Sequence, residues 1–481
     1  MVDQHLHQLS GLDASFLAIE TANAPGHIGS VMVIDPSTRP VPLDLESFAE
    51  VLGTRMRAVP SCTRKLHGVP LGLDMPYWVD DLDFDLEYHI REIALPVPGT
   101  RKQLTEQVSR LHARPLDRTR PLWEMYLITG LEGGRAAVYT KLHHAMIDGV
   151  GGNDILEAVL DIDVAPRHVE RPGDVPHAVS PTTWSMARRA AGAWAQHPVR
   201  AAGIAAQLVR SAPSYVSVNS QRIPVFRRDA DERDIVLPTS LRAPAVPFNA
   251  AITPHRRLAL LEIPFASVKA VKDDHGCTVN DVVLSICAGG LRRYLAGKDA
   301  LPTDPLIAAV PVSVRQDVQA AGNHVSMMMV PLATDGVEPA DRLVATVAAA
   351  SAAKEKFQAT PAPLLVELAE FSFPALGNQA GRLSARLGLL EKVRPFNLFI
   401  SNVPGPRIPL FIAGAELLEY YPVSTLPDGQ GLNITVFSYR DSLFFGLLGC
   451  RELVPDLEVL ADGLREEMQA LESCSRAGLG T

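Results

Sequence analysis

His143-His144-Ala145-Met146-Ile147-Asp148-Gly149 sets two adjacent histidines, three spacer residues and an Asp-Gly pair in one short run. Histidine is the side chain whose unperturbed pKa lies nearest neutrality, so it suits proton abstraction from an alcohol or amine. An aspartate four residues on, followed by glycine, offers a way to hold that imidazole still. With 14 histidines in 481 residues, a chance match to this pattern is expected about 0.002 times per chain. The competing reading is a pair of satisfied structural histidines beside an Asx-type turn. No metal centre is expected. The two histidines point to opposite sides of a strand, and no Cys-x-x-Cys or His-Glu-x-x-His accompanies them. Cys62, Cys277, Cys287, Cys450 and Cys474 are scattered without ligand spacing.

The elements that must position this run can be read around it. Ala137 to Leu142 alternates and carries Val, Tyr and Thr, so it reads as a strand. Gly149-Val150-Gly151-Gly152-Asn153 punctuates the chain before a helix-like stretch from Ile155 to Leu160. The histidines therefore sit where a strand breaks into a turn. Upstream, His27 to Ile34 reads as a strand, Leu43 to Arg57 as an amphipathic helix, and Leu104, Val108 and Leu111 recur at helical spacing. Pro121 to Ile128 begins a strand that Leu131 to Arg135 turns into the histidine strand, a hairpin that fits an antiparallel or mixed sheet. Trp123 reads as core, the alternative being an apolar wall of a binding site.

A chain of 481 residues is too long for one ordinary core, so two domains are expected. With 47% apolar and 21% charged residues it is globular, and a net charge of −9 argues against general nucleic-acid binding. The odd, sparse cysteine count suits a reducing compartment. No secretory signal or membrane-spanning run is evident, so the chain reads as cytoplasmic, soluble or peripheral. Between Val175 and Arg228 there is no Asp or Glu but seven arginines, among them Arg188, Arg189 and Arg210. That segment reads either as an inter-domain helical connector or as a basic amphipathic stretch lying on an anionic lipid surface. The expected units are residues 1–165, a connector over 166–240 and a second unit over 241–481. In the second unit, strands are expected near 258–263, 306–314, 325–332 and 396–402, with a hairpin over 434–448. Helices are expected over 267–273, 282–295 and 456–471. Thr278 or Asn280 would cap the 282–295 helix.

Read in order, several segments resemble the bacterial wax ester synthase/acyl-CoA:diacylglycerol acyltransferase family, a relative of the chloramphenicol acetyltransferase-like folds that include peptide-synthetase condensation domains. They are Leu12-Asp13-Ala14-Ser15-Phe16-Leu17, Pro121-Leu122-Trp123-Glu124, the histidine run, Asn280-Asp281, Val310 to Arg315 and Ser401 to Pro406. Each is weak alone, and their joint order over nearly the whole chain is specific. The resemblance implies an α/β architecture of two mixed-sheet domains joined by a helical connector, with the site in a channel between them. It implies His144 as the active base, with Asp148 supporting the loop and Arg315 as a partner for Asp148. His143 would orient. Asn280, Asp281 and Asn402 are candidates for substrate binding or oxyanion support, Asn280 being equally readable as a helix cap.

The implied reaction moves a long acyl group from acyl-CoA, a co-substrate, to diacylglycerol or a long-chain alcohol, with no cofactor and no acyl-enzyme. No Gly-x-Ser-x-Gly elbow is present to form one. The enzyme would work on the inner membrane face or on lipid droplets. Two alternatives stay open: a same-fold acyltransferase with a polyketide diol or amine acceptor, and a non-catalytic lipid-binding module.

Overall fold

The computed structural model describes residues 7–70, 74–146, 151–169, 185–186, 188–189, 243–313, 325–358 and 394–478. The first half runs β1 (His7–Gln8), α1 (Gly11–Ile19), β2 (His27–Asp35), α2 (Leu45–Ala58), β3 (Arg64–His67), β4 (Tyr77–Asp80), α3 (Leu86–His89), β5 (Ile90–Ala94), α4 (Arg101–His112), β6 (Trp123–Thr129), β7 (Ala136–His143) and α5 (Gly151–Val159). The second half runs β8 (Arg256–Pro264), α6 (Phe265–Asp274), α7 (Val279–Ala296), β9 (Leu306–Ser313), β10 (Val325–Leu332), α8 (Pro339–Gln358), β11 (Leu398–Val403), β12 (Phe411–Ile412), β13 (Ala415–Val423), β14 (Leu432–Tyr439), β15 (Ser442–Cys450) and α9 (Leu457–Gly478).

Two six-stranded mixed sheets organise these elements, in the orders β12-β13-β2-β7-β6-β5 and β10-β9-β11-β14-β15-β8, beside a small β1-β4-β3 sheet. The architecture is thus the expected pair of mixed-sheet α/β lobes. The histidine strand β7 lies in the middle of the first sheet, antiparallel to β2 on one side and β6 on the other, with His27 directly opposite His143. Its residues from Ala136 to Lys141 are all buried, because helices or the second lobe cover both faces of the sheet. Alternation in Ala137–Leu142 therefore marks β-propensity, not one wet face.

The expected 241–481 unit also lends a strand to the first sheet. Its β13 leaves the second sheet and pairs antiparallel with β2 of the first, Val423 opposite Gly29 and Tyr421 opposite Val31. Tyr439, Phe444 and Leu448 likewise bury in the core of the first lobe. The physical reason is that β2 would otherwise be an edge, and a paired strand satisfies its backbone groups. Most of the 166–240 connector, including the acid-free arginine-rich stretch from Val175, lies outside the described residues. Among the described residues no helix is long and apolar enough to cross a membrane.

Local chemistry sets the helices that face the site. A capping box between Thr100 and Gln103 starts α4, and its apolar positions Leu104, Val108 and Leu111 are buried. The same device, Thr278 with Asp281, starts α7, which is buried almost all round. Ser10 caps α1 by accepting from the Asp13 N–H.

Candidate active site

The chain leaves β7 at His143 and turns through a short 3-10 segment, His144–Met146. Four contacts and one peptide link close a ring around the two histidines. The His144 N–H donates to the Gly26 carbonyl at 2.9 Å. The Gly26 N–H donates to Glu20 Oε1. That oxygen stands 3.1 Å from His143 Nε2. His143 Nδ1 accepts the Ala145 N–H at 3.0 Å, and the backbone from Ala145 to His144 completes the circuit. Because Nδ1 accepts, the His143 proton sits on Nε2 and faces the carboxylate. The Nε2–Glu20 approach is an electrostatic contact and not an aligned hydrogen bond.

Helix α1 supplies Phe16 and, at its C-cap, Glu20. Phe16 and Glu20 are four residues apart, the spacing that aligns side chains on a helix. Phe16 stacks on the His144 ring, with centroids 3.9 Å apart and planes at 20°. Arg118 holds Glu20 from outside and also donates to the Leu17 carbonyl at 3.1 Å. Burial acts to raise the Glu20 carboxyl, but His143 and Arg118 outweigh it and hold it down to about 2. Glu20 is therefore a carboxylate throughout the working pH range.

His144 goes the other way. Burial, aided by repulsion from His143, lowers its pKa to about 4, so the imidazole is neutral at pH 7. Its Nδ1 is buried with no hydrogen-bond partner among the described residues. The ring is thus held in plane by Phe16, anchored through its backbone, and available as a base.

Behind the pair lies a buried polar network. His27 Nε2 donates to the His112 carbonyl at 2.6 Å. His112 Nε2 donates to the Ser424 carbonyl at 2.8 Å, which leaves Nδ1 to accept from the Tyr139 hydroxyl at 2.8 Å. Burial, then the nearby Lys141 and Arg256 charges, lower His112 to about 3. Lys141, wholly buried, donates to Glu124 at 3.1 Å and to the Leu111 carbonyl at 3.2 Å. A second-lobe residue closes the region, as Thr425 donates to the Pro25 carbonyl at 2.9 Å.

The residues expected from sequence fall into three groups. His143 and His144 come together as described. Asp148 and Arg315 lie outside the described residues. Asn280 and Asp281 stand in the opening turn of α7, and Asn402 stands on β11. Neither asparagine hydrogen-bonds to the histidine pair. The cap reading of Asn280 is corrected, since Thr278 caps the helix and Asn280 lies inside it. The Asp281 carboxylate accepts from both the Thr278 N–H, at 2.9 Å, and the Thr278 hydroxyl, at 2.7 Å, so it serves the start of the helix. Trp123 is core, its indole donating to the Cys62 carbonyl at 2.8 Å. Sequence reasoning missed Glu20 and Arg118. The one local signal was the Phe16-x-x-x-Glu20 spacing next to the Leu12–Leu17 motif.

Residues 9–283 match the wax ester synthase/diacylglycerol acyltransferase catalytic domain and residues 321–472 match the C-terminal domain of the same family. The chain belongs to the wax ester synthase/diacylglycerol acyltransferase family. A Mycobacterium tuberculosis protein named for diacylglycerol O-acyltransferase activity is 38% identical over 474 residues, 96% of this chain and 99% of its own. The O-acyltransferase WSD of Acinetobacter baylyi is 33% identical over 473 residues, 97% of each chain. Among solved structures, the wax ester synthase/diacylglycerol acyltransferase of Marinobacter aquaeolei VT8 superposes with a TM-score of 0.67 at 30% identity, covering 98% of this chain and all of that one. The first condensation domain of the calcium-dependent antibiotic synthetase, at 17% identity and a TM-score of 0.55, shares the fold. This family member is an acyltransferase.

Proposed function

We propose that the protein transfers a long-chain acyl group from acyl-CoA to diacylglycerol, with His144 as general base. The observation that carries this reading is the neutral, clamped imidazole of His144 at the end of a buried strand. His144 takes the proton of the acceptor hydroxyl as that oxygen attacks the thioester carbonyl. The tetrahedral oxyanion collapses, the carbon–sulfur bond breaks, and the departing thiolate takes the proton back from His144. The new carbon–oxygen bond is the ester, and no acyl-enzyme is needed. His143 and Glu20 keep the loop and its proton arrangement fixed.

Diacylglycerol is favoured as acceptor because the mycobacterial relatives named for it are more similar, at 38% identity, than the Acinetobacter protein at 33%. A long-chain alcohol is the second reading, supported by the name of the Marinobacter enzyme. Either acceptor dissolves in lipid, so we place the reaction at a membrane or droplet surface, with the arginine-rich stretch before Arg228 as the contact; flotation with anionic vesicles tests this.

The deciding assay follows thiol release from palmitoyl-CoA with dioleoylglycerol and hexadecanol supplied separately. Acceptor-dependent release that disappears in His144→Ala supports the mechanism. Normal turnover in a folded His144→Ala protein would falsify it.

A further inference from the structure

Two cavities among the described residues lie apart from the histidine pair. One, of about 360 Å³, lies between α4, β8 and α9. A second, of about 240 Å³, shares its Thr105, Arg257, Leu258 and Glu458 walls, so the two form one groove along α4. Seven arginine and lysine side chains line it against three carboxylates, in a chain whose net charge is −9. Two of the carboxylates, Glu458 and Asp462, are taken up by Arg257 and Arg465. Lys102 and Arg110 are exposed and have no partner among the described residues, and Arg257 Nε is buried without one. The β8 floor beside these cations is apolar: Leu258, Ala259 and Leu260. A surface of this kind fits a ligand carrying several phosphates and a flat aromatic ring.

One end of the groove is tied to the strand entry that carries the site. Arg256, in its wall, donates to the Asn23 carbonyl, three residues before the Gly26 that anchors His144. Three residues of chain span at most about 10 Å. The groove then runs back along α4 from Arg110 towards Lys102 and Arg101, a course of about 14 Å at helical rise.

We infer that this groove holds the phosphorylated nucleotide end of the acyl-CoA donor, leaving the pantetheine arm to reach His144. The inference rests on the function proposed above and adds the place where the donor is recognised. Phosphate oxygens would accept from Lys102, Arg110 and Arg257, while the adenine lies on the Leu258–Leu260 floor. Arg101 is committed elsewhere, to Glu419 at 2.9 Å, and shapes the far end.

Two thioesters and one nucleotide test it. The double variant Lys102→Glu/Arg110→Glu changes only exposed, unpaired side chains, so its melting temperature should match wild type. Its KM for palmitoyl-CoA should rise about tenfold at low ionic strength, as two charge reversals imply. Its turnover of S-palmitoyl-pantetheine, which lacks the nucleotide, should be unchanged. Titration calorimetry with adenosine 3′,5′-bisphosphate should show binding to wild type that the variant loses. An unchanged KM for palmitoyl-CoA, or equal losses with both thioesters, overturns the assignment. If wild type releases no thiol from either thioester, the proposed function fails, and the calorimetry still reports on the groove by itself.

Discussion

At the scale of single residues, the site is a contrast between two ionisable groups. Glu20 is held ionised down to about pH 2, and His144 is held neutral down to about pH 4. A base is useful only in its unprotonated form, so kcat/KM should keep an acidic limb near pH 4, well below the value of about 6.5 for a free imidazole. Initial rates taken within seconds of a jump from pH 7 would show it; a limb near 6.5 would mean that the ring is solvated. Glu20 acts through others, by fixing the Gly26 amide and facing His143. Glu20→Ala leaves the Gly26 N–H and the Arg118 guanidinium without their acceptor, a loss of roughly 1–3 kcal/mol for a buried group. The expected result is a fall in kcat on the order of ten- to a hundredfold with KM for the donor little changed. Glu20→Gln, which keeps an acceptor for Gly26, should recover part of it. Equal kinetics in both variants and wild type would remove Glu20 from the site.

At the scale of elements, strand β7 and helix α5 are each tied down where they end. For β7 the tie is the ring through Gly26 and Glu20. For α5 it is Asp161, just past the helix, whose carboxylate pairs with Arg55 of α2 at 2.8 and 3.0 Å in a fully buried contact. Asp161 also exchanges two backbone hydrogen bonds with Phe411 of β12, both 2.8 Å long. Asp161→Ala would strand the buried Arg55 charge, which costs about 3–5 kcal/mol. Urea melts should place its midpoint well below that of wild type at unchanged slope, and a shift under 1 kcal/mol would show that Arg55 finds water instead. Local patterns made much of this scaffold readable. Strand β7, its hairpin with β6, α4 and the hairpin of β14 and β15 all follow from spacing and turn residues. Pairings set by distant parts of the chain were not readable. Nothing near Glu20 points to His143, more than 120 residues away, and nothing in Ala415–Val423 says that its partner is β2. Lys141 inside a strand reads as a surface charge until Glu124 is seen opposite it. The site was therefore legible as chemistry, through His143 and His144, but not as the contacts that hold it.

At the scale of the whole molecule, acid should unfold this protein early. His27, His112 and His144 are all buried with pKa values lowered chiefly by that burial. The folded state refuses protons that the unfolded chain accepts below about pH 6.5, so stability falls as pH drops through that value and continues to fall towards pH 4. Three such groups give a slope of about 4 kcal/mol per pH unit at most. The depressed Glu20 acts in the same direction at lower pH, because the unfolded carboxylate protonates first. Chemical denaturation at pH 7, 6 and 5 should show this loss, and a flat profile would mean that the histidines are hydrated.

The strand that crosses from the second lobe into the first has a further consequence during synthesis. The first sheet cannot finish until Val423 has been made, although its own strands end at His143. At roughly 5–20 residues per second, the interval is on the order of 15–55 seconds. For that time the nascent chain carries an open β2 edge bearing Val31, Val33 and Ile34, the kind of template on which other chains stick. Slow translation, or loss of a holding chaperone, would therefore lower the yield of this enzyme without touching its finished stability.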